Sequence, residues 1–150
     1  GLKSGTYVNQ WGDLGSTCSS SDAVSVFDLT TGVWSSGPRM PTASAGLAAT
    51  LAPNGRVYLG GGADYYIGFS TSLWPQRAFY EFDPSTGTYR TLASLPDARG
   101  HFSLVADPNG FIYAIGGRTG VGIYSSWSWS ASNMFGSVPR YSIAEDRWVP

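Results

Sequence analysis

Short apolar runs closed by glycine-bearing turns recur along this chain, and they read as strands. Residues 45–52 (AGLAATLA) and 100–106 (GHFSLVA) are small and apolar, and each runs into Pro-Asn-Gly. Asn-Gly is a strong hairpin signal because both central residues of a type I′ turn need positive φ. The spacing therefore predicts type I′ hairpins at residues 54–55 and 109–110. The next strands, residues 56–59 and 111–115, are apolar nearly throughout and end in glycine pairs, so both of their faces should be covered. A third pair, residues 23–27 and 78–82, leads into tight turns at 28–32 and 83–87. The fourth opens on an aromatic residue and turns polar (Trp34-Ser35-Ser36, Tyr89-Arg90-Thr91), as an outer strand does.

These four strands are one unit written twice. Shifted by 55 residues, residues 23–62 fall on 78–117 without a gap, and thirteen positions are identical. They include Phe27/Phe82, Asp28/Asp83, Gly32/Gly87, Tyr58/Tyr113 and the pairs Gly61-Gly62/Gly116-Gly117. A partial third copy at residues 138–150 places Tyr141 and Trp148 on Phe82 and Tyr89. Self-similarity of this length marks a repeat architecture, in which each unit buries its faces against its neighbours.

A hydrophobic strand, a Gly-Gly pair and two aromatics at fixed spacing resemble the kelch repeat. The aromatic pair occurs three times, as Phe27/Trp34, Phe82/Tyr89 and Tyr141/Trp148. The resemblance covers residues 23–150 and implies an all-β fold, a kelch-type β-propeller segment of four-stranded antiparallel blades. About two complete blades and part of a third are expected from the strands present. Two positions depart from the pattern: the second aromatic is Tyr89 in the middle copy, and the arginine that opens the first strand as Arg99 is Ser44 in the other.

Residues 1–22 are expected to belong to a preceding blade, with a degenerate second strand over residues 6–11 and no inner strand ahead of it. An open arc would expose a blade face at each end. The chain is accordingly expected to be a segment of a longer polypeptide, its ring completed by further residues of that polypeptide or, as the alternative, by other subunits.

Composition narrows the partners. Charged residues are 13% of the chain, about half the usual ~25%, and the net charge is −1 with eight arginines spread singly. Without a basic stripe, nucleic acid and anionic membranes are not expected partners. No apolar run reaches the roughly 20 residues of a membrane span. One lysine against eight arginines and abundant Ser and Thr favour a secreted or cell-surface setting. Cys18 is the one cysteine, so no disulfide can form within the chain.

In a four-stranded blade the 2–3 loops and the inter-blade connections share one face. Here that face carries two long segments, residues 63–77 and 118–137, read as loops and rich in aromatics. Tyr65, Tyr66, Phe69 and Trp74 in the first, with Arg118, Tyr124, Trp127 and Trp129 in the second, are candidate contacts for a protein partner or a glycan. The opposing reading is that these rings fold over the blades and pack. The alternation of residues 125–130 (SSWSWS) also fits an extra edge strand.

Catalytic chemistry is thinly supplied. His101 is the sole histidine and reads as a hydrogen-bonded residue near a blade junction; Cys18 and His101 are the one thiol–imidazole pair the composition allows. Asp28 and Asp83 recur before a turn, where aspartate caps backbone amides. Asp13, Asp22, Asp64 and Asp97 are site candidates by exposure alone, and Glu145 and Asp146 read as solvated turn residues. No calcium-loop or zinc spacing occurs, and no cofactor is expected. Kelch propellers also occur in galactose oxidase-like copper enzymes, where the resemblance would require two histidines, two tyrosines and a crosslinked cysteine. One His and one Cys cannot complete that site. The leading expectation is a non-catalytic module that binds a protein; the alternative is an extracellular, carbohydrate-directed propeller, lectin-like or part of such an oxidase.

Overall fold

The computed structural model describes residues 2–8, 12, 14–67, 72–119 and 133–149. Every regular element among them is a strand: β1 (Leu2–Val8), β2 (Leu14–Ser20), β3 (Ser25–Phe27), β4 (Trp34–Ser36), β5 (Ala48–Leu51), β6 (Val57–Gly60), β7 (Ala63–Ile67), β8 (Ser72–Pro75), β9 (Phe79–Asp83), β10 (Thr88–Thr91), β11 (Ser103–Ala106), β12 (Phe111–Ile115), β13 (Arg118–Thr119), β14 (Asn133–Met134), β15 (Arg140–Ser142) and β16 (Arg147–Val149). Two four-stranded antiparallel blades run β5-β6-β9-β10 and β11-β12-β15-β16, and β3–β4 is the outer half of another. The chain is thus an all-β propeller segment of two complete blades and part of a third.

The repeat is kept at the level of register. Val57 stands opposite Phe82, and its 55-residue counterpart Ile112 stands opposite Tyr141. Each aromatic pair that recurs in the sequence is a directly opposed cross-strand pair, with ring centroids 5.0 Å apart for Phe27–Trp34, 4.7 Å for Phe82–Tyr89 and 5.4 Å for Tyr141–Trp148. Such pairs add to sheet stability beyond their burial.

The Pro-Asn-Gly hairpins are not type I′. Gly55 and Gly110 have φ of 77° and 86°, whereas neither Asn54 nor Asn109 has positive φ. The Gly55 amide bonds the Ala52 carbonyl, and the Ala52 amide bonds the Arg56 carbonyl. This is a three-residue loop, a type I turn followed by a left-handed glycine. The preceding proline explains the difference: its ring holds φ near −65°, which suits the first central position of a type I turn.

The 3–4 turns are capped by aspartate, as the recurrence of Asp28 and Asp83 implied. Asp28 accepts the amides of Thr30 and Thr31, and Asp83 accepts the Ser85 amide and hydroxyl. Asp146 is more than a solvated turn residue. It sits at φ 47°, and its carboxylate accepts the Ala93 amide at 2.9 Å and the buried Tyr141 hydroxyl at 2.6 Å.

Acid should therefore weaken the fold. Amides of Thr30 and Thr31 lower Asp28, the Ser85 hydroxyl lowers Asp83 to about 2, the Phe111 amide lowers Asp107, and the Ala93 amide lowers Asp146. Folded pKa values below the unfolded value of about 3.9 mean that each group stabilises the chain above that pH, and that this is lost as pH falls through the folded value. The urea midpoint should be level from about pH 7 to pH 5 and decline steadily from there towards about pH 2. Asp146→Asn should flatten part of that slope. A midpoint unchanged at about pH 3 would contradict the assignment.

The core lies between the blades. Tyr58, Phe79, Leu95, Ile112, Ala114 and Tyr141 are fully buried. Tyr141 of the second blade packs edge-on against Phe79 of the first, with centroids 5.0 Å apart, and Trp148 lies 5.1 Å from the same ring. The second blade is also tied to the connection that leads into it: the Trp148 indole donates to the Ala93 carbonyl at 3.0 Å. In the first blade, Tyr89 donates to the Pro38 carbonyl at 3.2 Å. Pro38 and Ala93 are 55-residue counterparts. Tyrosine and tryptophan alternate at this position because either ring brings a donor to the same carbonyl.

Candidate functional site

The long 2–3 connections converge with the inter-blade connections on one face of the segment. Reciprocal backbone bonds lock each to the next: Ala45 with Ala63 at 2.9 Å both ways, and the counterparts Gly100 with Arg118 at 3.0 Å both ways. The glycine pairs permit this approach. Gly62 has φ 83°, and a Cβ there would stand 2.6 Å from the Ala45 carbonyl oxygen and 2.8 Å from the Leu47 nitrogen. Nearby, the His101 amide bonds the Gly46 carbonyl at 2.9 Å. These two are counterparts as well, both left-handed at φ 54° and 66°, so the sole histidine stands at a blade junction.

Among the described residues, the first segment expected to be a loop carries β7 paired with β8, and in the second the short strands β13 and β14 pair, residues 120–132 between them lying outside the described residues. Residues 6–8 of the expected second strand lie in β1, and residues 9–11 lie outside the described residues. β1 pairs with β2, and β2 pairs with β7 through Cys18↔Ile67 and Ser19↔Tyr66. The resulting sheet β1-β2-β7-β8 stands apart from the blades. Aromatic and β-branched residues in β7 favour extended backbone. A tie between side chains reinforces the junction, with Ser20 donating to the Asp64 carboxylate at 2.5 Å.

On this sheet Asp64 is exposed and directly opposite Trp74, which is 65% exposed. An indole left this open offers contact area together with a polar N–H. Tyr65 and Tyr66 are β7 residues opposite Leu73 and Ser72. Arg118 is half-buried, its main chain committed to Gly100. Phe69, Tyr124, Trp127 and Trp129, with Asp13, lie outside the described residues. Phe135 belongs to the packing rather than the rim, since it covers the Arg99 guanidinium, 4.3 Å from its ring centroid.

That guanidinium is a feature sequence reasoning passed over. Arg99 is fully buried. It donates to the Gly116 carbonyl at 3.1 Å, the Ala114 carbonyl at 3.4 Å and the Asp97 carboxylate at 3.0 Å. The counterpart Ser44 donates to the Gly61 carbonyl at 2.9 Å, so both side chains serve the first glycine of the pair. An arginine directly before the innermost strand in one copy and a serine in the other was the available signal. Of the remaining exposure candidates, Asp22 pairs with Arg39 at 2.6 Å. Cys18 is half-buried on β2.

Among the described residues, no cluster of three or more His, Cys, Asp and Glu could hold a metal ion. No described helix is long and apolar enough to cross a membrane.

No family model matches the chain. The human protein named Kelch-like protein 31 is 33% identical over 93 residues, which is 62% of this chain and 14% of that protein. The matched stretch is a small part of that relative's length. Repeated antiparallel blades together with this likeness support kelch-type repeats in a propeller segment.

Proposed function

We propose that this chain is a kelch-type propeller module that binds a protein partner through the face carrying the 2–3 hairpins, without catalysing a reaction. The observation that carries the reading is Trp74: an open indole on a sheet held together by the β2–β7 ladder and the Ser20–Asp64 bond and joined to the inter-blade connection by the reciprocal Ala45–Ala63 bonds. A rigid, exposed aromatic offers contact area at low entropic cost, which is how interface anchors work. Tyr65, Tyr66, Phe69, Arg118, Tyr124, Trp127 and Trp129 extend the same face in this proposal. Completing the ring falls to further residues of the same polypeptide, and kelch-family membership belongs to the proposal too.

Trp74→Ala should weaken capture of the partner by about tenfold or more, the loss of a single aromatic anchor. Leu29, on the opposite turn face and 90% exposed, is the control, and Leu29→Ala should leave capture unchanged. Equal capture by wild type and by a variant with Trp74, Trp127 and Trp129 all changed to alanine would overturn the reading.

A further inference from the structure

Asp64 and Trp74 form a cross-strand pair that the repeat does not account for. The β13–β14 hairpin matches β7–β8 in register: the Gln76 amide bonds the Gly62 carbonyl as that of Phe135 bonds Gly117, so Asp64↔Trp74 falls on Thr119↔Asn133. The second hairpin therefore has neither a carboxylate nor a ring at these two positions. Residues that form the fold, such as the turn aspartates Asp28 and Asp83, recur from copy to copy; this pair does not. Directly opposed residues share a face, with Cβ atoms about 5 Å apart. Both side chains are exposed on that face, Trp74 to 65%. Ser20 donates to one oxygen of Asp64, and among the described residues no lysine or arginine pairs with this carboxylate.

We propose that Asp64 and Trp74 together bind an arginine side chain of the protein partner. An indole face attracts a cation, and a carboxylate beside it supplies the opposite charge. Guanidinium suits both at once, because it is planar, weakly hydrated, and stacks on a ring while donating from its edge. The chain builds the same three-part contact within itself: the Arg99 guanidinium lies 4.3 Å from the Phe135 ring centroid and pairs with the Asp97 carboxylate at 3.0 Å. There the blade supplies its own cation. On β7–β8 the ring and the carboxylate stand at the surface, and the cation is left to the partner. An acidic segment would be repelled by Asp64, and a purely apolar one would cover the carboxylate without a counter-charge. The assignment rests on the partner-binding reading of Trp74 and names the chemistry of what binds there.

The test selects random peptides displayed on phage against the 150-residue chain and keeps those that bind it but not its Trp74→Ala variant. The kept peptides should be enriched in arginine, and replacing that arginine by glutamine should weaken binding about tenfold. Asp64→Asn keeps an acceptor for the Ser20 hydroxyl and should weaken the same peptides about threefold. In that variant the loss on replacing arginine by glutamine should shrink, the mark of a direct contact between the two groups. Both side chains are exposed, so β6 and β12 should stay protected from amide exchange in either variant. Kept peptides without arginine enrichment, or bound equally by Asp64→Asn, would overturn the arginine assignment and leave the partner-binding reading standing. Kept peptides in which lysine serves equally well would overturn the choice of guanidinium. A selection yielding no peptide that Trp74→Ala loses would overturn the assignment together with that reading.

Discussion

Phe79→Ala is expected to cost about 3–5 kcal/mol, the range for emptying a fully buried phenylalanine site. Phe79 belongs to β9 of the first blade, but its heaviest contacts are the rings of Tyr141 and Trp148 in the second, at 5.0 and 5.1 Å. Tyr58 of its own blade is further, at 6.2 Å. The substitution therefore removes a blade-to-blade term, and in a repeat architecture that term is what couples units into one cooperative fold. Two consequences separate this from a generic core loss. Amide protection should fall in both β9 and β15, because neither blade retains the shared interface. The urea transition should also broaden, as the blades cease to unfold together. Loss confined to β9, with an unchanged slope, would place the stabilisation within the first blade and contradict the interface account. Leu29→Ala, at a side chain that touches little, should stay within about 0.5 kcal/mol of wild type.

What could be read from the chain beforehand follows the range of the interaction. The 55-residue repeat made the blades legible because every copy must solve the same packing problem: Val57 and Ile112 meet Phe82 and Tyr141 in one register. Asp28 and Asp83 were legible for a local reason, since a carboxylate caps amides only two or three residues away. The turn type was misjudged because Asn-Gly was weighed without Pro53 and Pro108 in front of it. The 2–3 hairpins were read as loops for a different reason. β2 and β7 pair across segments far apart in sequence that do not repeat each other, so no periodicity announces Ser19↔Tyr66. The rim candidates share that difficulty. Aromatic richness marked residues 63–77 and 118–137 as places of contact, but it could not separate Trp74, left open, from Phe135, spent on covering Arg99.

Arg99→Ser is expected to cost about 3 kcal/mol or more, because it opens a site shaped around a guanidinium. The partner Asp97 is 43% exposed and can return to water, so the loss lies on the arginine side. The carbonyls of Ala114 and Gly116 lose their donors, and Phe135 is left over a void. Ser44 shows that serine itself is not the difficulty, since the other blade accepts it at the same position. There the surroundings have changed together: Thr42 stands for Asp97, Leu59 for Ala114, and Gln76, whose amide bonds Gly62 as that of Phe135 bonds Gly117, stands for Phe135. The charged cage has become a neutral one, with a bulkier leucine in the space and Gln76 donating to the Ala43 carbonyl at 3.1 Å. Transplanting the whole set, Asp97→Thr, Arg99→Ser, Ala114→Leu and Phe135→Gln, should recover more than half of the stability that Arg99→Ser alone gives up. Ser44→Arg in the first blade should conversely destabilise, because it buries a charge where Thr42 provides no carboxylate. Urea midpoints followed by tryptophan fluorescence decide both. An Arg99→Ser loss below about 1 kcal/mol would mean that the buried guanidinium contributes little net stability. A fourfold variant no better than the single one would mean that the two cages are not alternative solutions to the same packing problem.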